Sequence, residues 1–524
     1  MRKIYKSLIV ATILVVAGFI YSYKLDKIPS GVYVDEATIA YNALSIFETG
    51  KDEYGKSFPL LFRLLGSYTP PVFVYSAIPL IKLFGTKIIA FRFISEVSAL
   101  VSILIFYQLI RKMKLFRLEI SYYAATLFYA ISPWLVFNAR LGYEVTLAFT
   151  IFNIGLYFYY ASIKNSKFLV WGVMFSSLST YIAHTQRYLF FAFIPLYFLF
   201  FRRLIFKKSN VKILKRAVFT LFITQIPNLL LIGMPAFWVK NERLLDQKLM
   251  GLVRNLINQF LTNVSPKSLF FEMPDIDLQH TLPEISLMYN WMVIPYLFGI
   301  FLLIKNLKAV KYKFILFVFV LSILPATMSG QFVSTQRLLP FLFPLMVVIG
   351  IGIDKLISKT RLKVSTIGVF LLTFYSLIML YRSYFVLFPI ERANAWNYGY
   401  ADLAIFLNNN PEKKYIIDNT RNPRLYILLL YFLRYPPDIY QKEVDKFYLV
   451  NYYKSPPPVF QNSFGNIEVR PIDWSKDPLE KAILIGDPLA ISEGQQKEHS
   501  LSKIHAIKDV FGDNLFVIYR TRDW

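Results

Sequence analysis

Few side chains in this sequence can do acid–base or covalent chemistry. There is no cysteine, and the four histidines, His184, His280, His499 and His505, form no HxxxH or HExxH pair. Thiol nucleophiles, disulfides and thiolate zinc sites are thereby excluded, and a histidine-built metal site is not expected. Carboxylates and cations remain. Two adjacent carboxylates stand out, Asp35 and Glu36, in the stretch Pro29-Ser30-Gly31-Val32-Tyr33-Val34-Asp35-Glu36-Ala37. At an apolar boundary an acidic pair is costly unless it is solvated or used, because desolvation raises carboxylate pKa values. A general base needs that tuning. Arg63 follows, then Ser67-Tyr68-Thr69-Pro70-Pro71, a stiff turn that would return the chain toward the same pair.

The elements that must position these residues can be read from periodicity. Pro29-Ser30-Gly31 is a turn. From Glu36 onward Ile39, Ala40, Ala43, Leu44, Ile46 and Phe47 fall at helical spacing, and Gly50 is a natural C-terminal stop. An amphipathic helix is expected on the surface, with Asp35 at its N-cap. Spacing alone leaves two readings of Asp35, a cap and nothing more, or a base.

Composition sets the solvent. Of 524 residues 56% are hydrophobic and only 17% are charged, with a mean hydropathy of +0.45; a soluble domain carries about a quarter charged residues. A polytopic α-helical membrane protein is expected. About eleven runs approach the roughly 20 residues that cross a bilayer: Ser7 to Tyr23, Ile88 to Ile110, Leu118 to Phe137, Val145 to Ser162, Phe168 to Ala183, Tyr188 to Phe206, Ala217 to Gly233, Tyr289 to Ile304, Phe314 to Met328, Leu338 to Ile353 and Val364 to Tyr384. Lysine and arginine gather in alternate connections: at Arg2 to Lys6, Arg111 to Arg117, Lys164 with Lys167, Arg202 to Arg216 (including Lys207 and Lys208), Lys305 to Lys313 and Lys355 to Lys363. By the positive-inside rule these are cytoplasmic. The alternation holds only if Val72 to Phe84, short and broken by Pro79, lies in the interface instead of crossing. The net charge of +25 is then largely topological, and nucleic acid is dropped as a partner. No A-x-A cleavage site follows the first run, so it reads as an uncleaved anchor.

The topology places the N-terminus in the cytoplasm and leaves three segments outside the cell membrane: 24–85, 234–288 and the tail. The tail gains Asn, Asp, Pro and Lys. Short apolar runs at Tyr415 to Ile417, Ile467 to Val469, Ala482 to Ile485 and Leu515 to Tyr519 read as strands, with helical stretches at Ala401 to Leu407 and Arg424 to Phe432 between them. The expected organisation is a membrane domain over 1–386, including the loop 24–85 with interfacial helices, and an extracytoplasmic α/β domain over 387–524.

Motif order carries a resemblance. After the first apolar run come VDEA at 34–37, TGKDEYGKSFPL at 49–60, Tyr68-Thr69-Pro70-Pro71, LFG at 83–85 and Arg92-Phe93-Ile94-Ser95. Further on stand Ser132-Pro133-Trp134 with Arg140 and Glu144, the stretch Tyr181 to Arg187, and Thr335-Gln336-Arg337 ahead of an apolar run. In this order they resemble bacterial GT-C glycosyltransferases of family 39, the protein O-mannosyltransferase and aminoarabinose-transferase group, over most of residues 1–400. Trp396 to Gly399 and Tyr435 to Gln441 resemble tails of the same group. The resemblance implies a multi-pass GT-C enzyme of the cell membrane that takes a sugar from a polyprenyl-phosphate carrier and passes it to an acceptor hydroxyl on a protein, lipid or glycan. Phosphate is a good leaving group, so one base and some cations suffice, unlike glycoside hydrolysis with its two carboxylates. The family's acidic pair maps onto Asp35, as the base of a single inverting displacement, and Glu36, which positions Asp35 or the acceptor.

Cations must then neutralise a lipid phosphate, and arginine can hold two of its oxygens at once. Arg92, Arg140, Arg187 and Arg337 all lie at the outer ends of expected spans, and His184 stands beside Arg187. Against this, each arginine could be an interfacial anchor, Arg140 with Glu144 an i,i+4 pair beginning a helix, and His184 structural. Relatives commonly carry Lys or His directly before the Pro pair where this chain has Thr69, so either Arg63, near Tyr68, substitutes or the carrier is held differently. A divalent ion on the acidic pair is the alternative to metal-free chemistry; no dedicated ligand set is visible, so no cofactor is expected. The rival readings are a transporter or flippase for a lipid-linked sugar, and a polysaccharide polymerase or ligase. Transporters place ionisable residues near the bilayer midplane, whereas these spans are nearly free of charge at their centres.

Overall fold

The computed structural model describes residues 2–205, 210–238, 249–272, 278–328, 334–411, 413–454 and 462–521; Lys207 and Lys208 lie outside them. In chain order the first ten helices used below are α1 (Arg2–Ser22), α2 (Val34–Thr49), α3 (Val72–Phe84), α4 (Ile88–Lys112), α5 (Glu119–Ala130), α6 (Pro133–Ala139), α7 (Val145–Ser162), α8 (Leu169–Ser179), α9 (His184–Ile205) and α10 (Val211–Leu231). Two compact units result. One comprises Met1–Leu25, Arg92–Gly233 and Lys240–Leu387, the other Asp26–Phe91, Met234–Val239 and Phe388–Trp524. The segment after the first helix therefore shares a unit with the tail, whereas the sequence grouped it with the spans.

The first unit is helical. Among the described residues eight helices are long and apolar enough to cross a bilayer, and α5 with α6, bent by 51° at their junction, would make a ninth. All eleven expected runs contain helix, but two are too short to count as spans. The helix α8 has 11 residues and the helix Val293–Lys305 has 13, so at 1.5 Å per residue they rise roughly 16–20 Å against a hydrocarbon core of about 30 Å. Local chemistry explains both. Ser179 and Thr180 turn their hydroxyls back onto the carbonyls of Ser176 and Ser177 (2.6 and 2.7 Å) where α8 ends. At the start of the other run Asn290–Met292 is a 3₁₀ turn, and the Tyr289 hydroxyl donates to the Ile131 carbonyl at 2.6 Å. The bend between α5 and α6 falls where Ser132 is an extended N-cap and Pro133 opens the new helix. The helix Leu339–Ser358 is the most enclosed of the long helices. It meets Val293–Lys305 through glycines: a Cβ on Gly299 would lie 2.0 Å from the Val348 carbonyl, and one on Gly352 1.8 Å from that of Pro295. Backbones this close need glycine.

The second unit is mixed. Its six-stranded sheet has the order β4-β5-β3-β6-β8-β7, with β3 (Tyr415–Ile417), β4 (Asn462–Phe464), β5 (Ile467–Val469), β6 (Ile483–Gly486), β7 (Ser502–Lys508) and β8 (Asn514–Arg520). The central strand β3 runs parallel to β5 and β6, and the other pairings are antiparallel. The four strands expected from the sequence are β3, β5, β6 and β8. The two expected helices are Tyr400–Asn408 and Leu425–Leu433. The edge strands β4 and β7 were not anticipated, because most of their side chains are exposed or half-buried and show no apolar alternation. Near the N-terminus β1 (Phe62–Leu64) and β2 (Ser67–Thr69) form a hairpin, pairing Arg63 with Tyr68. Its two turn residues, Leu65 and Gly66, both have positive φ (48° and 79°), as a type I′ turn requires. The helix α2 packs against α3, Leu425–Leu433 and Pro437–Glu443. It is buried on every side from Glu36 to Ile46, so it is not the surface amphipathic helix that its spacing suggested.

Candidate active site

Two hydrogen bonds fix the chain ahead of the acidic pair. The Ser30 hydroxyl donates to the Pro389 carbonyl at 2.6 Å, and the Asn397 amide donates to the Val32 carbonyl at 2.9 Å. Between these anchors Gly31 comes so close to the tail that a Cβ would stand 1.9 Å from the Trp396 carbonyl oxygen. The helix α2 then begins at Val34, with Tyr33 as its N-cap and Gly50 as its left-handed stop. Asp35 is thus inside the first turn and not the cap. Glu36, fully buried, accepts the Tyr33 backbone N–H at 3.2 Å, the return bond of a capping box. Asp35 is half-buried, the more exposed residue of the pair, and the helix N-terminus favours its charge.

Arg63 and Tyr68 turn away into the tail. Arg63 is 1% exposed; its Nη1 donates to the Tyr448 carbonyl at 2.7 Å, and its guanidinium lies 5.6 Å from the Tyr54 ring centre and 5.2 Å from that of Tyr448. Tyr68 donates its hydroxyl to the Tyr452 carbonyl. Both reinforce the hairpin's seat on the tail.

A second acidic pair, Asp52 and Glu53, lies in the same unit with no exposure at either residue. Asp52 accepts the Tyr452 hydroxyl and the backbone N–H groups of Tyr54 and Lys56 (3.1 and 2.8 Å). Glu53 accepts the Asn42 side-chain amide N–H at 3.2 Å, and its own backbone N–H donates to the Asn42 side-chain Oδ1 at 3.1 Å. Burial pushes Asp52 up to about 6 and Glu53 up to about 8. The sequence contained this pair only as part of the 49–60 motif. Its signal was an Asp-Glu dipeptide inside a Gly-bounded turn, which no local spacing distinguishes from a solvated one.

Among the first unit's arginines, Arg140 caps a helix. Its Nη1 donates to the carbonyls of Ile20 (2.9 Å) and Tyr21 (2.5 Å), its Nη2 to that of Tyr23 (2.8 Å), and the guanidinium lies 5.1 Å from the rings of both Tyr384 and Phe385. Those carbonyls close α1, where a cation is favoured. Arg140 is the C-cap of α6 and Glu144 the N-cap of α7, so they are not an i,i+4 pair on one helix. Arg92 donates to the Leu25 carbonyl at 3.0 Å, just beyond the same helix end. Arg187, at the start of α9, donates its Nε to the Thr180 carbonyl at 3.3 Å and meets His184 Nδ1 at 3.3 Å. Arg187 and Arg337 both act electrostatically on Tyr188, which puts the two cations within electrostatic range of one residue. Arg337 follows Thr335, whose carbonyl accepts the Trp134 indole N–H at 2.9 Å. The tryptophan of Ser132-Pro133-Trp134 therefore tethers the Arg337 turn.

The arrangement offers a half-buried carboxylate at the start of α2 in one unit, and in the other a pair of arginines with a histidine. The first could take a proton and the second could bind an anion. Among the described residues no three or more His, Asp and Glu are grouped as they would be to hold a metal ion. A cleft of about 360 Å³ beside Thr49, Lys51 and Tyr54 is 14 residues from Asp35 along α2, roughly 21 Å of helix rise, and is not part of this site.

No family model matches the chain, and no curated protein does. Solved structures do. ArnT from Cupriavidus metallidurans, determined bound to undecaprenyl phosphate and in the apo state, aligns over 99% of this chain and 98% of its own, with a TM-score of 0.56 and 13% identity in each case. The archaeal oligosaccharyltransferase AglB from Archaeoglobus fulgidus, in complex with an inhibitory peptide and a dolichol-phosphate, aligns over 98% of this chain and 74% of its own at 12% identity, but its TM-score of 0.47 is too low to argue from. At 13% identity the fold alone is what is shared, and this chain has a fold similar to that of ArnT along nearly its whole length.

Proposed function

We propose that the protein is a membrane glycosyltransferase that moves a sugar from a polyprenyl-phosphate carrier to an acceptor hydroxyl. The observation that carries this reading is the half-buried Asp35 in the first turn of α2, on a fold similar to that of a protein solved with undecaprenyl phosphate. In the reaction the Asp35 carboxylate takes the proton of the acceptor O–H. The acceptor oxygen attacks the anomeric carbon, the bond from that carbon to the phosphate oxygen breaks, and the carrier leaves as a phosphate monoester with inversion at the sugar. Arg187 and Arg337, with His184, hold the phosphate charge, while Arg92 and Arg140 hold the end of α1. Glu36 holds the start of α2 and so the direction of Asp35. No divalent ion is required in this mechanism, and transfer should survive chelation.

Two experiments test it. The purified protein should consume one member of a panel of radiolabelled polyprenyl-phosphate sugars. Asp35→Asn should transfer about 10²–10⁴-fold more slowly, the usual contribution of a general base; a folded variant working at the parent rate overturns the assignment. The proposed sidedness, N-terminus cytoplasmic and tail outside, is checked by Asn409→Cys, at an exposed position of a chain without other cysteines. An impermeant thiol reagent added to intact cells should label it, and silence in a folded protein inverts the topology.

A further inference from the structure

Helix α2 carries a polar stripe. Asp35, Thr38, Asn42, Ser45 and Thr49 recur at intervals of three and four and so share one face. Beyond Asp35 the loop after the helix grips this stripe. The Ser45 hydroxyl donates to the Lys51 carbonyl at 2.7 Å, and Asn42 makes two bonds with Glu53, one to the side chain and one to the backbone. Gln441 of the tail donates to Ser45, Thr49 and the Asp52 carbonyl (2.9, 2.9 and 3.0 Å). Asp52 accepts the hydroxyl of Tyr452, near the middle of the tail. Among the described residues that grip this stripe, Asn42 and Glu53 make the contact that is fully buried and two-pronged.

We propose that Glu53 is a positioning residue which, by gripping Asn42, sets where α2 carries Asp35. This rests on Asp35 being the base. Charge counting supports it. Glu53 faces Asp52 and Tyr54 of its own loop, Tyr41 of α2, Arg63 of β1, and Tyr426 and Tyr440 of the tail helices. Among these described groups one guanidinium stands against two buried carboxyls, and Glu53 Oε2 has no hydrogen-bond partner. The grip is therefore stable with Glu53 protonated and strained when both carboxyls are ionised. Burial raises Glu53 to about 8 and Asp52 to about 6. The folded protein then holds protons that the unfolded chain releases, and the stabilisation present at acid pH is lost as pH rises through these values.

The test uses the purified full-length protein. Its melting temperature should fall by a few degrees from pH 6 to pH 9, while Glu53→Gln, which keeps a neutral hydrogen-bonding head, should flatten that slope. In transfer assays Glu53→Ala should cut kcat by about tenfold or more, up to the roughly 10²-fold that a 1 Å misplacement costs, leaving the donor KM within about twofold, and Glu53→Gln should restore kcat. Equal melting slopes for parent and Glu53→Gln overturn the charge account whether or not the protein proves to be a transferase. An unchanged kcat in folded Glu53→Ala, in a protein that Asp35→Asn inactivates, overturns the positioning role.

Discussion

The second unit contains the same dipeptide twice, 17 residues apart, in opposite circumstances. Asp35-Glu36 opens a helix, one carboxylate turned inward to close the backbone and the other half-exposed. Asp52-Glu53 follows the same helix and is wholly buried, sharing Arg63 and a group of tyrosines. The difference teaches that acidic side chains divide into structural and chemical ones by what backbone and hydroxyl groups surround them, not by sequence type. The proposed site of chemistry is the pair with one half-exposed carboxylate. The buried pair holds the scaffold.

The largest effect that could break this contrast is on rate. Asp35→Asn should lose transfer by about 10²–10⁴-fold while costing no more than the ~0.3–1 kcal/mol of a first-turn charge, because Tyr33 and Glu36 close the start of α2. If the melting temperature fell by far more than that, Asp35 would be a scaffold residue like its buried counterparts.

Next in size is Arg63→Met. This keeps the stem's volume but leaves Asp52 and Glu53 facing each other without their described cation and removes the bond to the Tyr448 carbonyl. Breaking such a buried charge arrangement costs about 3 kcal/mol or more. The sign of its pH dependence is definite. With the guanidinium gone both carboxyls hold their protons more tightly, so the loss should be largest near pH 8 and shrink toward pH 5, as a pH series of thermal melts would read. A loss independent of pH would mean that Arg63 matters only for packing.

How much of this was legible depends on where each partner sits. The central strands β3 and β6 are buried along their whole length and appear in the sequence as unbroken apolar runs, so they could be read. The spans were visible from hydropathy, but their lengths were not, since Ser179, Thr180 and the Asn290 turn end helices inside apolar runs. The sequence singled out Asp35 and Glu36 by position, but that Glu36 turns inward onto the Tyr33 backbone N–H was not legible there. The bonds of Arg140 reach carbonyls 117 to 120 residues away, and a carbonyl leaves no mark in a sequence. Asp52 meets Tyr452 across 400 residues; no local pattern announces such a pair.

The smallest effect sharpens the contrast most, because it concerns the member of the half-exposed pair that behaves like the buried one. Glu36 is fully buried and accepts the Tyr33 backbone N–H. A glutamine carbonyl can accept that bond too, and glutamine serves at this position of a capping box as glutamate does. Glu36→Gln should therefore keep stability within about 0.5 kcal/mol, whereas Glu36→Ala, which orphans the Tyr33 N–H, should cost about 1 kcal/mol. If Glu36 acts only through the helix start, transfer rates should follow the same order, with glutamine close to the parent and alanine below it. Should glutamine instead lose rate as deeply as Asp35→Asn while keeping its melting temperature, the charge of Glu36 itself would be acting on substrate, and the pair would have to be read as two chemical carboxylates.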